Sequence, residues 1–217
     1  MNEQQAAKLF FEAFQAHTGH PPTPHERQAI QSVSRLETNH GEAPPFAGSN
    51  NFGAVQCCKP KDGQCPDGSF LHKDSSPTAQ GTSVSYAVCF RKYDSPEKGA
   101  RHLVQLLTTD RPGVAKVLAS GDARAIAAAM YDSHYYQGFG ATREARIDGY
   151  AKAIARNAAA IGAALGEGVL VTLASSPTKP PSGGGGGGGA EAGAFALGML
   201  ALVLLWGRRL APCRTCF

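Results

Sequence analysis

The sequence predicts an α+β fold, mainly helical with a small antiparallel β-hairpin lobe, followed by a C-terminal single transmembrane helix. Three observations carry this. Helix-start residues recur at Thr23, Ser95, Asp122 and Thr142, each ahead of a run whose apolar residues are spaced three and four apart. Between them, from Cys57 to Tyr93, the chain is short-period and turn-rich. Near residue 175 the composition breaks, first into a Pro- and Gly-rich stretch and then into an uncharged apolar run. The part before that break is long enough to bury a sizeable core. The formal charge of +4 on 217 residues is mild. It demands no nucleic-acid partner and suits contact with an anionic surface such as a cell wall or membrane.

The first helix lies in "MNEQQAAKLFFEAFQAHTGH", where Leu9, Phe10, Ala13, Phe14 and His17 share a face. This stretch is not a secretory leader, because no basic segment precedes an apolar run and Glu3 and Glu12 interrupt it. The second helix starts at Thr23 as N-cap, with Pro24 in the first helical position and Glu26 closing a capping box. Ile30, Val33 and Leu36 mark its buried face, and Gly41 is expected to end it. Glu37, four residues after Val33, leaves from the edge of that face. "GSNNFGAVQC" then turns and enters a strand. "GSFLHKD" and "TSVSYAVCFRKY" read as two more strands, with "SSPTAQG" as the turn between them. Helix returns at "SPEKGARHLVQLL", capped by Ser95 and opened by Pro96. It recurs at "GVAKVLAS", at "DARAIAAAMYDSHYY" behind Asp122, and at the alanine-rich "TREARIDGYAKAIARNAAAIGAAL" behind Thr142.

Of the six cysteines, Cys57, Cys58, Cys65 and Cys89 fall in the β-like region. In an oxidising compartment they could form two disulfides, in any of three pairings. Free thiols are an alternative. A metal site fits less well, because the spacing lacks paired C-x2-4-C ligands, although His72 could add a fourth. At least one disulfide is expected here, since a small ribbon with little core gains from a cross-link. Cys213 and Cys216 form a CxxC in the tail, without the βαβ context of a redox motif.

The organisation expected is a domain over 1–170, a flexible linker over 171–191, a transmembrane helix over 192–207 and a short basic cytoplasmic tail over 208–217. The uncharged run 192–206 would span roughly 22 Å as a helix, short of the about 30 Å of a bilayer core unless the flanking glycines extend it. Arg208, Arg209 and Arg214 follow the run and Glu191 precedes it, which puts the domain outside by the positive-inside rule. The chain is therefore expected to be membrane-anchored with its domain facing the periplasm or cell wall, by an export route that the sequence leaves open.

A glutamate near a helix end is ordinarily solvated or salt-bridged. Glu37 differs in its setting: it closes a helix, a loop of small amides follows, and a β ribbon able to wall a groove comes next. Apolar surroundings there can keep a carboxyl protonated, ready to donate to a leaving oxygen. "LETNHG", "SNNFGAVQ", "CFRKYDSPEKGARHLVQLL" and "YYQGFGATREARIDGYAKAI", in that order over about residues 5 to 160, resemble the bacterial endo-β-N-acetylglucosaminidase family. Its members include autolysin and flagellar-rod peptidoglycan hydrolase domains of the lysozyme-like superfamily. Phe90, Arg91, Tyr93, Asp94, Ser95 and Glu97 match its strand-to-helix junction. Asn51 stands where the family usually has Leu, and the family's ribbon usually lacks cysteines.

The resemblance implies a lysozyme-like domain that hydrolyses β-1,4 bonds of peptidoglycan, without a cofactor or metal, as a monomer. It implies Glu37 as the general acid and a second carboxylate on the ribbon, for which Asp74 is the candidate and Asp62 and Asp67 are rivals. It also implies a tyrosine that bonds the sugar or steadies the transition state, with Tyr136 preferred over Tyr135. Asn51, Phe52, Gly53 and Tyr135 are implied as substrate-binding residues. Three alternatives stay open: a lytic transglycosylase or a muramidase on the same fold, and a non-catalytic wall-binding module. A cysteine peptidase built on Cys58 and His72 is a more distant one.

Overall fold

The structure is a computed structural model that describes residues 1–77, 83–136 and 140–173, without the side chains of residues 74–77 and 83. Local chemistry sets its helices. Helix α1 (Glu3–Thr18) starts at Asn2, whose side chain accepts from the Gln5 amide while the Gln5 side chain accepts from the Asn2 amide. Ala6, Leu9, Phe10, Ala13 and Phe14 form its buried face. Helix α2 (Pro24–Thr38) carries the capping box expected at Thr23 and Glu26. It ends on Asn39 rather than on Gly41. Asn39 adopts the left-handed conformation at φ 49 and its amide bonds back to the Arg35 carbonyl. The short polar side chain of asparagine tolerates that region, so no glycine is required at the cap.

Three strands follow: β1 (Gln56–Cys58), β2 (Ser69–Pro77) and β3 (Ser83–Arg91). They form one antiparallel sheet in the order β1-β3-β2. β2 runs on through Pro77, which pairs with Ser83, so residues 75–77 belong to the strand and not to the expected turn. β2 is an edge strand, where proline's missing N–H costs no ladder bond if it faces outward. The expected disulfide is Cys65–Cys89, while Cys57 and Cys58 remain thiols.

Helices α3 (Pro96–Thr108), α4 (Pro112–Leu118), α5 (Ala123–Asp132) and α6 (Arg143–Leu165) complete the described chain. Ser95, Asp122 and Thr142 cap α3, α5 and α6 as expected. Tyr135 and Tyr136 were expected within the fifth helix and instead lie beyond it. The Ser133 hydroxyl bonds back to the Met130 carbonyl and His134 takes φ 58, which turns the chain away.

The architecture is thus mainly helical with a three-stranded antiparallel sheet, as the α+β expectation has it. The helices enclose one core, in which Phe10, Ile30, Val33, Phe52, Leu103, Leu107, Met130 and Ile154 are buried. A smaller cluster of Phe46, Ala54, Val88 and Phe90, flanked by Phe70 and Tyr86, joins the sheet to the loop after α2. The Phe46 ring meets Phe90 edge-on at 5.0 Å and Phe70 at 5.9 Å. Val171 is fully buried and Thr172 bridges to Asp122, so the packed domain includes the first residues of the stretch read as linker. Among the described residues no helix is long and apolar enough to cross a membrane. The expected membrane helix, the glycine stretch, the basic tail, Cys213 and Cys216 lie outside the described residues.

Candidate active site

Glu37 sits half-buried in the last turn of α2, where the chain leaves the helical layer for the sheet. Its carboxylate accepts a hydrogen bond from the Tyr150 hydroxyl at 2.7 Å. Tyr150 lies on α6 and is 4% exposed. Burial, and then the neighbouring Glu37 charge, hold its phenol protonated well above the ordinary tyrosine range. It is therefore a fixed donor at any working pH. The Tyr136 ring stacks on Tyr150, with centroids 3.9 Å apart and planes 18° from parallel. Tyr131 meets Tyr136 edge-on at 5.6 Å. This aromatic stack fixes where the Tyr150 hydroxyl points.

Sequence reasoning missed Tyr150. Its signal was modest: it stands three residues after Ile147 and four before Ile154, inside a buried stripe, and a buried phenol needs a partner. The partner lies 113 positions away in sequence, which no local pattern reveals.

The opposite side of the α2 terminus is held by a polar cluster. Gln31 donates to the Glu3 carboxylate and to the Glu3 carbonyl, and Arg35 pairs with the same carboxylate. His40, 3% exposed, bonds Glu3 at 3.0 Å through Nε2 and Ser34 at 3.1 Å through Nδ1. Burial pushes the His40 pKa below its ordinary value of 6.5, against the opposing pull of Glu3. Burial, and then Arg91, likewise lower His102, whose ring bonds the Tyr93 hydroxyl.

A pH dependence follows. Between the ordinary histidine value and the depressed native values, the unfolded chain binds more protons than the native chain. Stability is therefore fully present above about pH 6.5 and is lost as the pH falls through the native values. Urea denaturation at about pH 7.5 and about pH 5 should show lower stability at the acid end, and His40→Asn should flatten the difference. Equal stability at both pH values would contradict the buried, neutral state of these rings.

The loop after Glu37 is pinned from several directions. The Thr38 hydroxyl is within hydrogen-bond reach of the Ser34 and Phe52 carbonyls, and accepts from the Gly41 amide. Asn51 is fully buried. Its amide donates to the Val55 and Arg91 carbonyls, and its carbonyl accepts from the Val55 amide. Phe52 is in the main core, edge-on to Phe10. A Cβ on Gly53 would stand 2.8 Å from Leu103 and 3.0 Å from the Tyr135 hydroxyl, which donates to the Gly53 carbonyl. Asn51, Phe52, Gly53 and Tyr135 thus form the buried support of the loop that follows Glu37. All four are buried, and their expected contact with substrate is untested by this geometry.

Tyr136 is also interior, 1% exposed, and its hydroxyl donates to the Ala127 carbonyl. It meets the Glu37 site through its stack on Tyr150. Asp74 lies on β2, two residues beyond His72, and pairs in register with Tyr86 on β3. Its carboxylate is among the side chains outside the described set. The rival acids Asp62 and Asp67 are exposed between β1 and β2, Asp62 at φ 51 in the Lys61–Gln64 turn.

No protein-family model and no curated protein matches this sequence. Solved structures do resemble it. The catalytic domain of the autolysin Auto from Listeria monocytogenes superposes with a TM-score of 0.48 at 13% identity, over 75% of this chain and 86% of its own. A peptidoglycan hydrolase from Sphingomonas sp. A1 gives 0.48 at 20% identity, over 81% and 99%. A C-terminally truncated glycoside hydrolase domain of Salmonella typhimurium FlgJ gives 0.44 at 16% identity, over 77% and 100%. Identities and scores this low leave the functional reading to rest on the residues of the site.

Proposed function

We propose that this chain is a peptidoglycan hydrolase, an endo-β-N-acetylglucosaminidase that cuts β-1,4 bonds of the glycan strand with Glu37 as general acid. In this reading the helical layer and the β lobe flank a lysozyme-like glycan cleft. One observation carries the proposal: a half-buried glutamate closes a helix at the junction of the two layers, held by a buried phenol donor from another helix. A carboxylate merely solvated at a helix end has no need of such a partner. The order of motifs along the sequence supports the substrate class.

In the reaction the Glu37 carboxyl gives its proton to the glycosidic oxygen as the bond to the anomeric carbon breaks, and positive charge builds on the sugar ring. Tyr150 fixes the rotamer of Glu37 and bonds the carboxylate left after proton transfer. The second carboxylate, which we assign to Asp74, activates water or steadies the oxocarbenium-like transition state. Tyr136 acts behind Tyr150. Asn51, Phe52, Gly53 and Tyr135 hold the floor on which the glycan lies.

Mass spectrometry of muropeptides released from purified peptidoglycan tests the assignment. Reducing GlcNAc ends are expected. Reducing MurNAc ends would make the enzyme a muramidase, anhydro-MurNAc a lytic transglycosylase, and no release at all a wall-binding module. Tyr150→Phe should lower kcat about ten- to a hundredfold with KM nearly unchanged, since a hydrogen bond to a charged group contributes about 1.5–3 kcal/mol. An unaltered kcat would remove Tyr150 from the mechanism.

We further propose that residues 192–206 anchor the enzyme in a membrane, with the domain facing the periplasm or the wall. Truncation after Pro181 should move it from the membrane to the soluble fraction and preserve its activity on isolated peptidoglycan. A full-length chain already soluble without detergent would refute the anchor.

A further inference from the structure

Cys57 and Cys58 are sequence neighbours on β1, and neighbours on a regular strand point to opposite faces. Here the pairing slips. Gln56 faces Phe90 while Cys58 faces Cys89, so two steps along β1 match one step along β3. Cys57 is the extra residue of a β-bulge, which re-aims side chains locally. The two sulfurs consequently lie 3.3 Å apart. The Cys57 thiol also points to the Cys89 carbonyl at 3.4 Å, which fixes its rotamer. Both residues are half-buried and accessible to a small reagent. The other two cysteines of the lobe are already joined as Cys65–Cys89.

We propose that Cys57 and Cys58 form a redox-modification site, a dithiol that an organic disulfide oxidises to a vicinal disulfide. The Cys57 sulfur attacks one sulfur of the oxidant, which forms a mixed disulfide and releases the first thiol. The Cys58 sulfur then attacks the Cys57 sulfur of that mixed disulfide and releases the second. Two electrons pass from the pair to the oxidant, and the two thiol protons leave with the released thiols. The second step is intramolecular between sulfurs already in contact, so it outruns capture of the mixed disulfide by another thiol. In its reduced form the same pair is a two-sulfur chelate for a thiophilic centre such as a trivalent arsenical. The site is independent of Glu37 and stands whether or not the chain cleaves glycan. Its place still matters to the fold, because oxidation closes a ring directly after Val55 and Gln56, and Val55 is the backbone that Asn51 grips.

The test uses the full-length chain, oxidised glutathione as oxidant and phenylarsine oxide as probe. After oxidation, alkylation and proteolysis without reductant, the peptide carrying Cys57 and Cys58 should be two hydrogens lighter and unalkylated, with Cys65–Cys89 intact. Phenylarsine oxide added first should bind once at this peptide and block the oxidation. Cys58→Ser should instead retain one glutathione on Cys57. Mass mapping of the wild type decides the matter even if that variant misfolds. Stable glutathione on wild-type Cys57, two alkylatable thiols after oxidation, or a Cys58–Cys89 link with Cys65 released would each overturn the proposal. Tail thiols Cys213 and Cys216 map to other peptides and do not interfere.

Discussion

On the mechanism proposed above, Glu37→Gln is expected to abolish glycan cleavage and to leave the fold intact. General acid catalysis contributes about 10²–10⁴-fold, and a glycosidic oxygen departs poorly unless it is protonated. Glutamine keeps the size of the side chain and an oxygen to accept from Tyr150, so the hydrogen bond and the stack on Tyr136 survive. What disappears is the transferable proton. Turnover of purified peptidoglycan should fall by at least about a hundredfold, with an unchanged melting temperature. A variant within a factor of about ten of wild type would show that another group supplies the proton.

The second large effect falls on stability. On an exposed helix, Gly→Ala stabilises by about 1 kcal/mol, because alanine loses less backbone entropy. Gly99→Ala in α3 should do the reverse. A Cβ at this position would stand 1.8 Å from the Asn50 carbonyl oxygen and 3.3 Å from Phe52. The carbonyl is backbone, and the same residue bonds the Tyr93 carbonyl through its amide, so the loop cannot slide away cheaply. Overpacking of this kind costs about 1–3 kcal/mol, and more where backbone must move. Urea denaturation should show a loss of about 3 kcal/mol, and on the proposed mechanism activity should fall too, since the displaced loop follows Glu37 in the chain. A neutral or stabilising outcome would mean that α3 and the loop are not in contact.

These two residues differ in how far the sequence exposes them. The position of Glu37 at a helix end could be read because its signals are local: the capping box at Thr23, the apolar spacing of Ile30, Val33 and Leu36, and the small amides after the helix. Helix starts at Ser95, Asp122 and Thr142 were legible for the same reason, since an N-cap satisfies amides within three residues of itself. The partner of Glu37 was hidden because it arrives from α6. The burial of Asn51 was hidden because the groups it bonds, on Val55 and Arg91, come together only when β3 docks. For Tyr135 and Tyr136 the resemblance implied roles at the substrate; what the sequence hid is that both are buried and donate to the carbonyls of Gly53 and Ala127. The bulge at Cys57 left no local mark, because register is a property of two strands and the sequence displays one at a time.

The position of β2 at the margin of the sheet has a consequence for the protein in a crowded solution. A strand paired on one side only offers its other side as a template for any extended chain, including a second copy of itself. Natural sheets blunt such margins with charge and proline, and this one carries both: exposed Lys73 near its middle and Pro77 at its end. Neither is needed to hold the sheet together, and exposed Leu71 beside them would otherwise favour stacking of lobes. Lys73 and Pro77 thus stand where charge and proline discourage strand-to-strand association, an effect that no folding measurement on a dilute sample would detect.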